Sequence, residues 1–381
     1  MSKTKPFYAD FRLGILGGGQ LGRMLIQACQ NFNVYSCVLG EAGGPCSGIA
    51  REYTDGSPTD FDAVYNFGKD VDLLTIELEN VNVDALKKLE QEGGGVFPQT
   101  SVIETIRNKR LQKAFYRDNG IPSSDFVLVD NREAVKQHTD FLPAFHKLGV
   151  GGYDGYGVNR LSDASDIEDT FDEPGLLEEP VNIQTEISVI AARNSEGEVA
   201  AYPAVECVFH PEQNVLEYLI APANISAETQ DFAADLARQV VDCLGIVGIL
   251  AVEMFVTKDG EVLVNEAAPR PHNSGHQTIN GNITSQYEQH LRAILGLPLG
   301  PTDLIRPSAL VNLLGEPGYS GPARYDGVEE ALGTDGVSLY IYGKSETRPH
   351  RKMGHITITD EDIDRLRSKA SHIRETVRVI T

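Results

Sequence analysis

The sequence predicts an α/β chain of two or three domains, and three stretches carry that prediction. Arg12 to Leu16 is an apolar strand that runs into the turn Gly17 to Gly22, a helical segment and a second strand from Val34 to Leu39. That order is a βαβ unit with a G-x-G-x-x-G turn. Leu142 to Lys147 and Val158 to Leu161 are strands around a glycine-rich loop. Gly248 to Ala268 reads as two apolar, β-branched strands around Asp259-Gly260, a dipeptide that favours a tight hairpin. With 381 residues, 41% hydrophobic and 23% charged, the chain can bury that many ordinary cores.

The formal net charge is −22. With no basic blocks, nucleic acid and anionic membranes are poor partners. Lys and Arg that bind an anionic substrate must therefore be concentrated at its site. Five scattered cysteines, Cys29, Cys37, Cys46, Cys207 and Cys243, lack metal spacing and read as reduced thiols of a cytoplasmic protein. No apolar run reaches the ~18 residues of a membrane span, and the N-terminal segment lacks the apolar core of a signal peptide.

In the first unit, Leu21, Met24, Leu25, Ala28 and Cys29 share one helix face, and Glu41 ends the second strand. Alone, the motif suggests a Rossmann site for NAD(P). More cautiously, a phosphate or a closely approaching backbone can sit at the helix N-terminus. The strand Val71 to Leu78 ends in Glu77 and Glu79, two residues apart and so on one face. They suit a ligand's hydroxyls or amine, or simply a solvated strand end. Thr105 to Asn119 reads as one basic helix carrying Arg107, Lys109, Arg110, Lys113 and Arg117, and a domain boundary is expected near Gly120.

Lys147 ends the next strand, and five glycines follow between Gly149 and Gly157. Such a hairpin can fold over a triphosphate through its N–H groups; the plainer reading is a flexible tip. Tyr153 and Asp154 at the tip could reach a second substrate. Gly343-Lys344-Ser345 lacks the upstream glycine of a Walker loop and is rejected as one. Leu176 to Val181 is extended, Glu186 leads the strand Ile187 to Ala192, and Val199 to Val208 is a strand with Glu206 and His210 near its end. Ser226 to Leu244 is an amphipathic helix stopped by Gly245.

If the Asp259-Gly260 loop has two residues in a type I′ turn, Glu253 lies directly opposite Glu266. Facing carboxylates about 4.5–5.5 Å apart at Cβ destabilise a ladder. A divalent cation removes that conflict, and Asn265 could add an oxygen. A three-residue loop would instead shift the register and leave one Glu at a solvated edge. Pro269 and Pro271 stiffen the following segment, which gathers Arg270, His272, Asn273, Ser274 and His276. Beside a metal these groups could hold an anion; otherwise they form a polar surface loop. Ser285 to Leu295 is a helix. Residues 298–322, rich in Pro and Gly, read as a linker into a small unit with strands Leu339 to Tyr342 and Ile356 to Thr359 and a last helix from Asp360. Arg348, Arg351 and Lys352 form its densest cationic cluster, either a phosphate site or a solvated loop.

Several motifs together resemble one family: Gly17-Gly-Gly-Gln20-Leu-Gly-Arg-Met24, Lys147, Gly151-Gly-Tyr-Asp-Gly155, Glu186 to Ile190, Asn265 to His276 and Arg351-Lys-Met-Gly-His355. Over nearly its whole length the chain resembles the N5-carboxyaminoimidazole ribonucleotide synthetases of purine biosynthesis, in the ATP-grasp superfamily. The resemblance implies an ATP-grasp fold with a Rossmann-like pre-ATP-grasp domain (1–114), an ATP-grasp domain (115–300, its flap subdomain spanning about 115–190) and a small C-terminal β-containing domain (301–381). It implies ATP and Mg²⁺, with bicarbonate and 5-aminoimidazole ribonucleotide as substrates. It further implies a cytoplasmic homodimer without nucleic-acid or membrane partners.

By the same resemblance Lys109 and Lys147 contact nucleotide phosphates, although the family commonly has Arg at the position of Lys109. Gly152, Tyr153, Asp154, Gly155, Tyr156, Gly157 and Val158 form the flap. Glu178, Glu179, Pro180 and Val181 form the adenine hinge, Glu186 contacts the ribose, and His210 and Asn265 are further nucleotide contacts. Glu253 and Glu266 are the Mg²⁺ ligands. Gln20, Glu77, Tyr153, Asp154, Arg270, Lys344, Arg351 and Lys352 surround the ribonucleotide, and Arg270, His272, Asn273 and Lys344 serve catalysis. His350 departs from the family, which usually has Gly there. Three alternatives stay open: a sister ATP-grasp ligase with another acceptor, an NAD(P)-dependent oxidoreductase built on Gly17 to Gly22, and a non-catalytic nucleotide sensor.

Overall fold

The computed structural model describes residues 5–152, 156–209 and 216–381, and the elements below are those of the described residues. Strands β1 (Arg12–Leu16), β2 (Tyr35–Gly40), β3 (Glu52–Asp55), β4 (Leu73–Ile76) and β5 (Gly95–Val96) are connected by helices α1 (Gln20–Asn31), α2 (Phe61–Lys69) and α3 (Val83–Gln91), except that β3 follows β2 without a helix. They make one parallel sheet in the order β3-β2-β1-β4-β5. Its central strands are apolar along nearly their whole length, as burial on both faces requires. Asp60 and Asn82 cap α2 and α3.

The expected single basic helix is two helices, α4 (Thr100–Arg107) and α5 (Lys109–Asp118). Asn108 is extended between them, and its side chain accepts from the N–H groups of Arg110 and Leu111. That cap restarts the helix and puts Lys109 at its first position, where its N–H donates to Gly149 O. An antiparallel sheet β6-β9-β7-β8 follows, made of β6 (Phe126–Val129), β7 (Ala144–Leu148), β8 (Val158–Leu161) and β9 (Gly175–Glu178), with α6 (Arg132–Lys136) after β6.

The remaining elements are β10 (Ile183–Arg193), β11 (Val199–Ala201), β12 (Val205–Phe209), β13 (Leu216–Ala221), α7 (Ala227–Leu244), β14 (Gly248–Thr257), β15 (Val262–Ala268), α8 (Thr278–Gly281), α9 (Gln286–Ile294), β16 (Ser308–Leu314), β17 (Gly321–Pro322), β18 (Arg324–Asp326), α10 (Val328–Leu332), β19 (Val337–Ile341), β20 (Glu346–Thr347), β21 (Lys352–Thr359), α11 (Ile363–Thr376) and β22 (Arg378–Ile380). A nine-stranded sheet runs β15-β14-β10-β12-β13-β16-β21-β19, with β11 beside β10. The expected linker thus contains a buried strand, β16, which pairs with β13 and β21. The Pro and Gly residues of that span flank Ser308–Leu314 but do not enter it, so composition over the window hid an apolar run.

The β14–β15 hairpin differs from the expected turn and still brings the two glutamates together. Its loop has three residues, Lys258 to Gly260, closed by a Thr257 N–H bond to Glu261 O (2.8 Å). Gly260 takes the left-handed conformation (φ +88°), as in a type I turn with a following bulge. Alone, that loop would set Asn265 opposite Glu253. A register shift at Glu253/Met254 makes Asn265 the extra residue of a β-bulge, so that Glu253 pairs with Glu266. Two departures from the regular hairpin cancel.

Candidate active site

A cavity of about 620 Å³ lies where the parallel sheet, the flap strands and the large sheet meet. Gln20, Glu77, Lys109, Gly152, Glu186 and Lys352 come to it from separate segments. Glu253 and Glu266 face it across the β14–β15 ladder. Burial, then the charges of Glu266 and Glu186, pushes the Glu253 carboxyl above its usual range. Glu266 is held below it by Lys109, with which it forms a short ion pair. One acid is thus paired and the other has lost its preference for the charged form.

The proline-stiffened segment after β15 closes one wall. Arg270 Nη2 lies 2.8 Å from Glu79 Oε1, and Arg270 Nη1 donates to Pro271 O. Ser274 N–H donates to His272 Nδ1 (3.4 Å), and His272 Nε2 lies 3.6 Å from Glu253 Oε1. Burial, then Arg270 and Lys352, drives the His272 ring down to about 3, so it is neutral near pH 7. Asn273 forms a reciprocal amide pair with Asn312 of β16.

Opposite, the glycine turn before α1 is filled from within. Glu77 accepts from Gly19 N–H (2.7 Å) and Gly22 N–H (2.9 Å). A Cβ at Gly17 would collide with Leu78 and Glu77. The glycines therefore admit this chain's own carboxylate at the position where a dinucleotide's phosphates would bind. That removes the basis for the NAD(P) alternative.

Behind the cavity, Glu178 sits between Lys113 (2.6 Å) and Lys147 (2.5 Å) and is 3% exposed. Lys147 also reaches Asn265 Oδ1 at 3.4 Å. On the far side Lys344 donates to Lys352 O (2.7 Å). Burial, then Arg351, lowers its ammonium to about 8.

Three family models match in series: a ribonucleotide synthetase preATP-grasp domain over residues 11–107, an ATP-grasp domain over 114–287 and a phosphoribosylaminoimidazole carboxylase C-terminal domain over 308–369. The N5-carboxyaminoimidazole ribonucleotide synthase of Bacillus subtilis is 38% identical, over 96% of this chain and 95% of that one. The chain belongs to the N5-carboxyaminoimidazole ribonucleotide synthase family. The synthetase from Thermotoga maritima superposes with a TM-score of 0.89 at 41% identity, over 97% of this chain and 99% of that one. The Aspergillus clavatus enzyme, solved with ADP and 5-aminoimidazole ribonucleotide, superposes at 0.86 with 31% identity over 97% and 98%. The chain spans 66% of the chloroplastic phosphoribosylaminoimidazole carboxylase of Vigna aconitifolia, to which it is 36% identical over 95% of its own length.

Of the residues that the family resemblance singled out, Gln20, Glu77, Lys109, Gly152, Glu186, Glu253, Asn265, Glu266, Arg270, His272, Asn273 and Lys352 line the cavity. Lys147, Glu178 to Val181, Tyr156, Gly157, Val158, Lys344 and Arg351 lie outside its lining. Glu179 N–H is taken by Asp125 O, and Arg351 Nη1 donates to Glu346 O at the surface. Tyr153, Asp154, Gly155 and His210 fall outside the described residues. Sequence reasoning saw Glu79 and Lys113 but gave them no partner. It did not single out Asn312, whose only signal was one amide inside the apolar run Ala309 to Leu314.

Proposed function

We propose that the chain carboxylates 5-aminoimidazole ribonucleotide with bicarbonate, driven by ATP, and releases N5-carboxyaminoimidazole ribonucleotide, ADP and phosphate. The observation that carries this reading is one cavity holding the facing glutamates, Lys109 and the Arg270–His272–Asn273 wall. Among the described residues no group of three or more His, Cys, Asp or Glu could hold a metal unaided. Two carboxylates and the Asn265 amide suit Mg²⁺ that arrives with phosphate oxygens, and Glu253, pushed up by burial and its neighbour, has an unmet need for positive charge. When bound there, the cation would neutralise charge on the transferring phosphoryl group.

Lys109 would pass from Glu266 to the phosphates as the nucleotide enters, with Lys147 behind it. Bicarbonate oxygen attacks the γ-phosphorus while the bond to ADP breaks, which forms carboxyphosphate. Arg270 and Asn273 would hold that anion. Cleavage of its C–O bond gives CO₂ and phosphate, and the exocyclic amine captures the CO₂. The amine proton would pass to the departing phosphate. His272 is neutral, with Nδ1 turned to the Ser274 hydroxyl (3.0 Å) and N–H (3.4 Å) and Nε2 turned to Glu253 (3.6 Å). Lys344, Lys352 and Arg351 would surround the ribonucleotide phosphate. A cytoplasmic homodimer completes the reading, and light scattering checks the dimer. No helix among the described residues is long and apolar enough to cross a membrane.

The test is ADP release in the presence of bicarbonate, with and without the aminoimidazole ribonucleotide. Stimulation by this nucleotide and a carboxylated product are expected. Stimulation by another acceptor amine but not by this one would overturn the acceptor, and ATP binding without turnover would leave only a sensor.

A further inference from the structure

We propose that Asn312, on strand β16 of the C-terminal unit, is a positioning residue that turns the Asn273 carboxamide so that an N–H, not the carbonyl oxygen, faces the reacting anion. The inference rests on the reading of Asn273 as part of the bicarbonate and carboxyphosphate site.

The argument starts from a backbone carbonyl. Leu216 O can only accept, and Asn312 Nδ2 lies 2.8 Å from it. That contact fixes which end of the Asn312 amide is nitrogen. The second N–H of the same nitrogen reaches Asn273 Oδ1 at 2.8 Å, and Asn312 Oδ1 accepts from Asn273 Nδ2 at 3.1 Å. Both side chains are 7% exposed. Flipping either amide would set oxygen against oxygen and nitrogen against nitrogen in a buried place, where unmet polar groups are costly. One carbonyl thus orients two amides in succession.

Asn273 spends one N–H on Asn312 and keeps the other. In a reciprocal amide pair the remaining N–H is the one trans to the carbonyl, directed away from the pair. Asn273 lines the cavity beside Arg270 and His272, so a preset donor there can meet charge developing on an oxyanion. A carbonyl in that position would repel it. The reference carbonyl belongs to the first residue of β13, the strand on which β16 pairs. The ladder that joins the C-terminal unit to the large sheet therefore also sets the polarity of the anion wall.

The experiment is a double-mutant cycle on the full chain, read as kcat/KM for bicarbonate, with MgADP affinity measured in parallel. Asn312→Leu keeps most of the volume and removes the reference. It is expected to lower kcat/KM on the order of 10- to 100-fold, a misorientation effect, while MgADP affinity stays within about twofold of the parent because that contact lies elsewhere. Asn273→Ala is expected to cost on the order of 10²- to 10³-fold as the loss of one oxyanion donor. Added to Asn273→Ala, Asn312→Leu should then cost nothing more. Losses that multiply in the double variant would overturn the positioning role and leave the site reading intact. An Asn273→Ala variant with full activity would overturn the site reading itself. Should Asn312→Leu fail to fold, Asn312→Ala enters the same cycle, since it too removes both groups that orient the Asn273 carboxamide.

Discussion

Glu266 stands between a lysine that holds its charge and a second glutamate that opposes it. Glu266→Gln keeps the shape and removes the charge a cation needs. Turnover should fall on the order of 10³-fold or more, a loss of several kcal/mol in charge stabilisation, while the circular dichroism spectrum stays that of the parent. Retained activity would remove the metal assignment. Lys344 offers a pH test. Its ammonium is lowered to about 8, first by burial and then by Arg351, so it is charged below that pH and neutral above it. Affinity for the ribonucleotide phosphate should therefore weaken as pH rises through about 8, and Lys344→Met should flatten that dependence in a titration. The stability term runs the other way. Between about 8 and the ordinary 10.5, the unfolded chain keeps a proton that the folded one has released, so this group makes stability rise with pH. His350 stands where the family resemblance implies glycine, and its backbone is of the kind that favours glycine. Its φ is +63° and its N–H donates to Gly315 O (2.8 Å), so the backbone keeps a left-handed turn with a side chain in place. That costs roughly 1–2 kcal/mol, against roughly 0.5–1 kcal/mol of extra chain entropy for glycine. His350→Gly should raise the unfolding free energy by about 0.5–1 kcal/mol, measured by urea denaturation.

Among the elements, the flap sheet and α5 share one buried carboxylate, Glu178. Burial pushes Glu178 up, but Lys147 and Lys113 outweigh it and hold the carboxyl down at about 2. The stabilisation from this group is present above its ordinary 4.5 and is lost as pH falls through about 2. Glu178→Gln strands two ammonium groups in the interior and should cost about 3–5 kcal/mol in urea denaturation. An unchanged midpoint would show that the lysines are hydrated. At this scale the sequence was legible where composition spoke plainly. Two acids in apolar β-branched strands required an answering charge, and the pairing of Glu253 with Glu266 exists. The route to it was not legible, because Gly260 closes a three-residue loop and Asn265 bulges to restore the register. Asn108 likewise breaks a helix that charge pattern alone made continuous, since a cap competes with propensity over a single residue. The glycine turn invited a dinucleotide, and only the fold brought Glu77 from β4 to fill it.

At the scale of the molecule, the large sheet ignores the boundary expected near residue 300, because β13 pairs directly with β16. A chain ending at residue 306 would expose the edge of β13 and lose α11, which packs on β16. Open apolar edges recruit other chains. Such a truncation should elute as aggregate in size-exclusion chromatography, and a monodisperse, nucleotide-binding fragment would contradict this. The same ladder bears on how relatives can be recombined. A chimera cut between residues 287 and 308 must import a foreign strand into an existing ladder, together with whatever amide answers Asn273. A cut near residues 107–114 severs no shared sheet in the described structure. Crossovers between homologous enzymes should survive selection at the second place and be purged at the first, so the tail of this chain is inherited with its catalytic core rather than traded as a module.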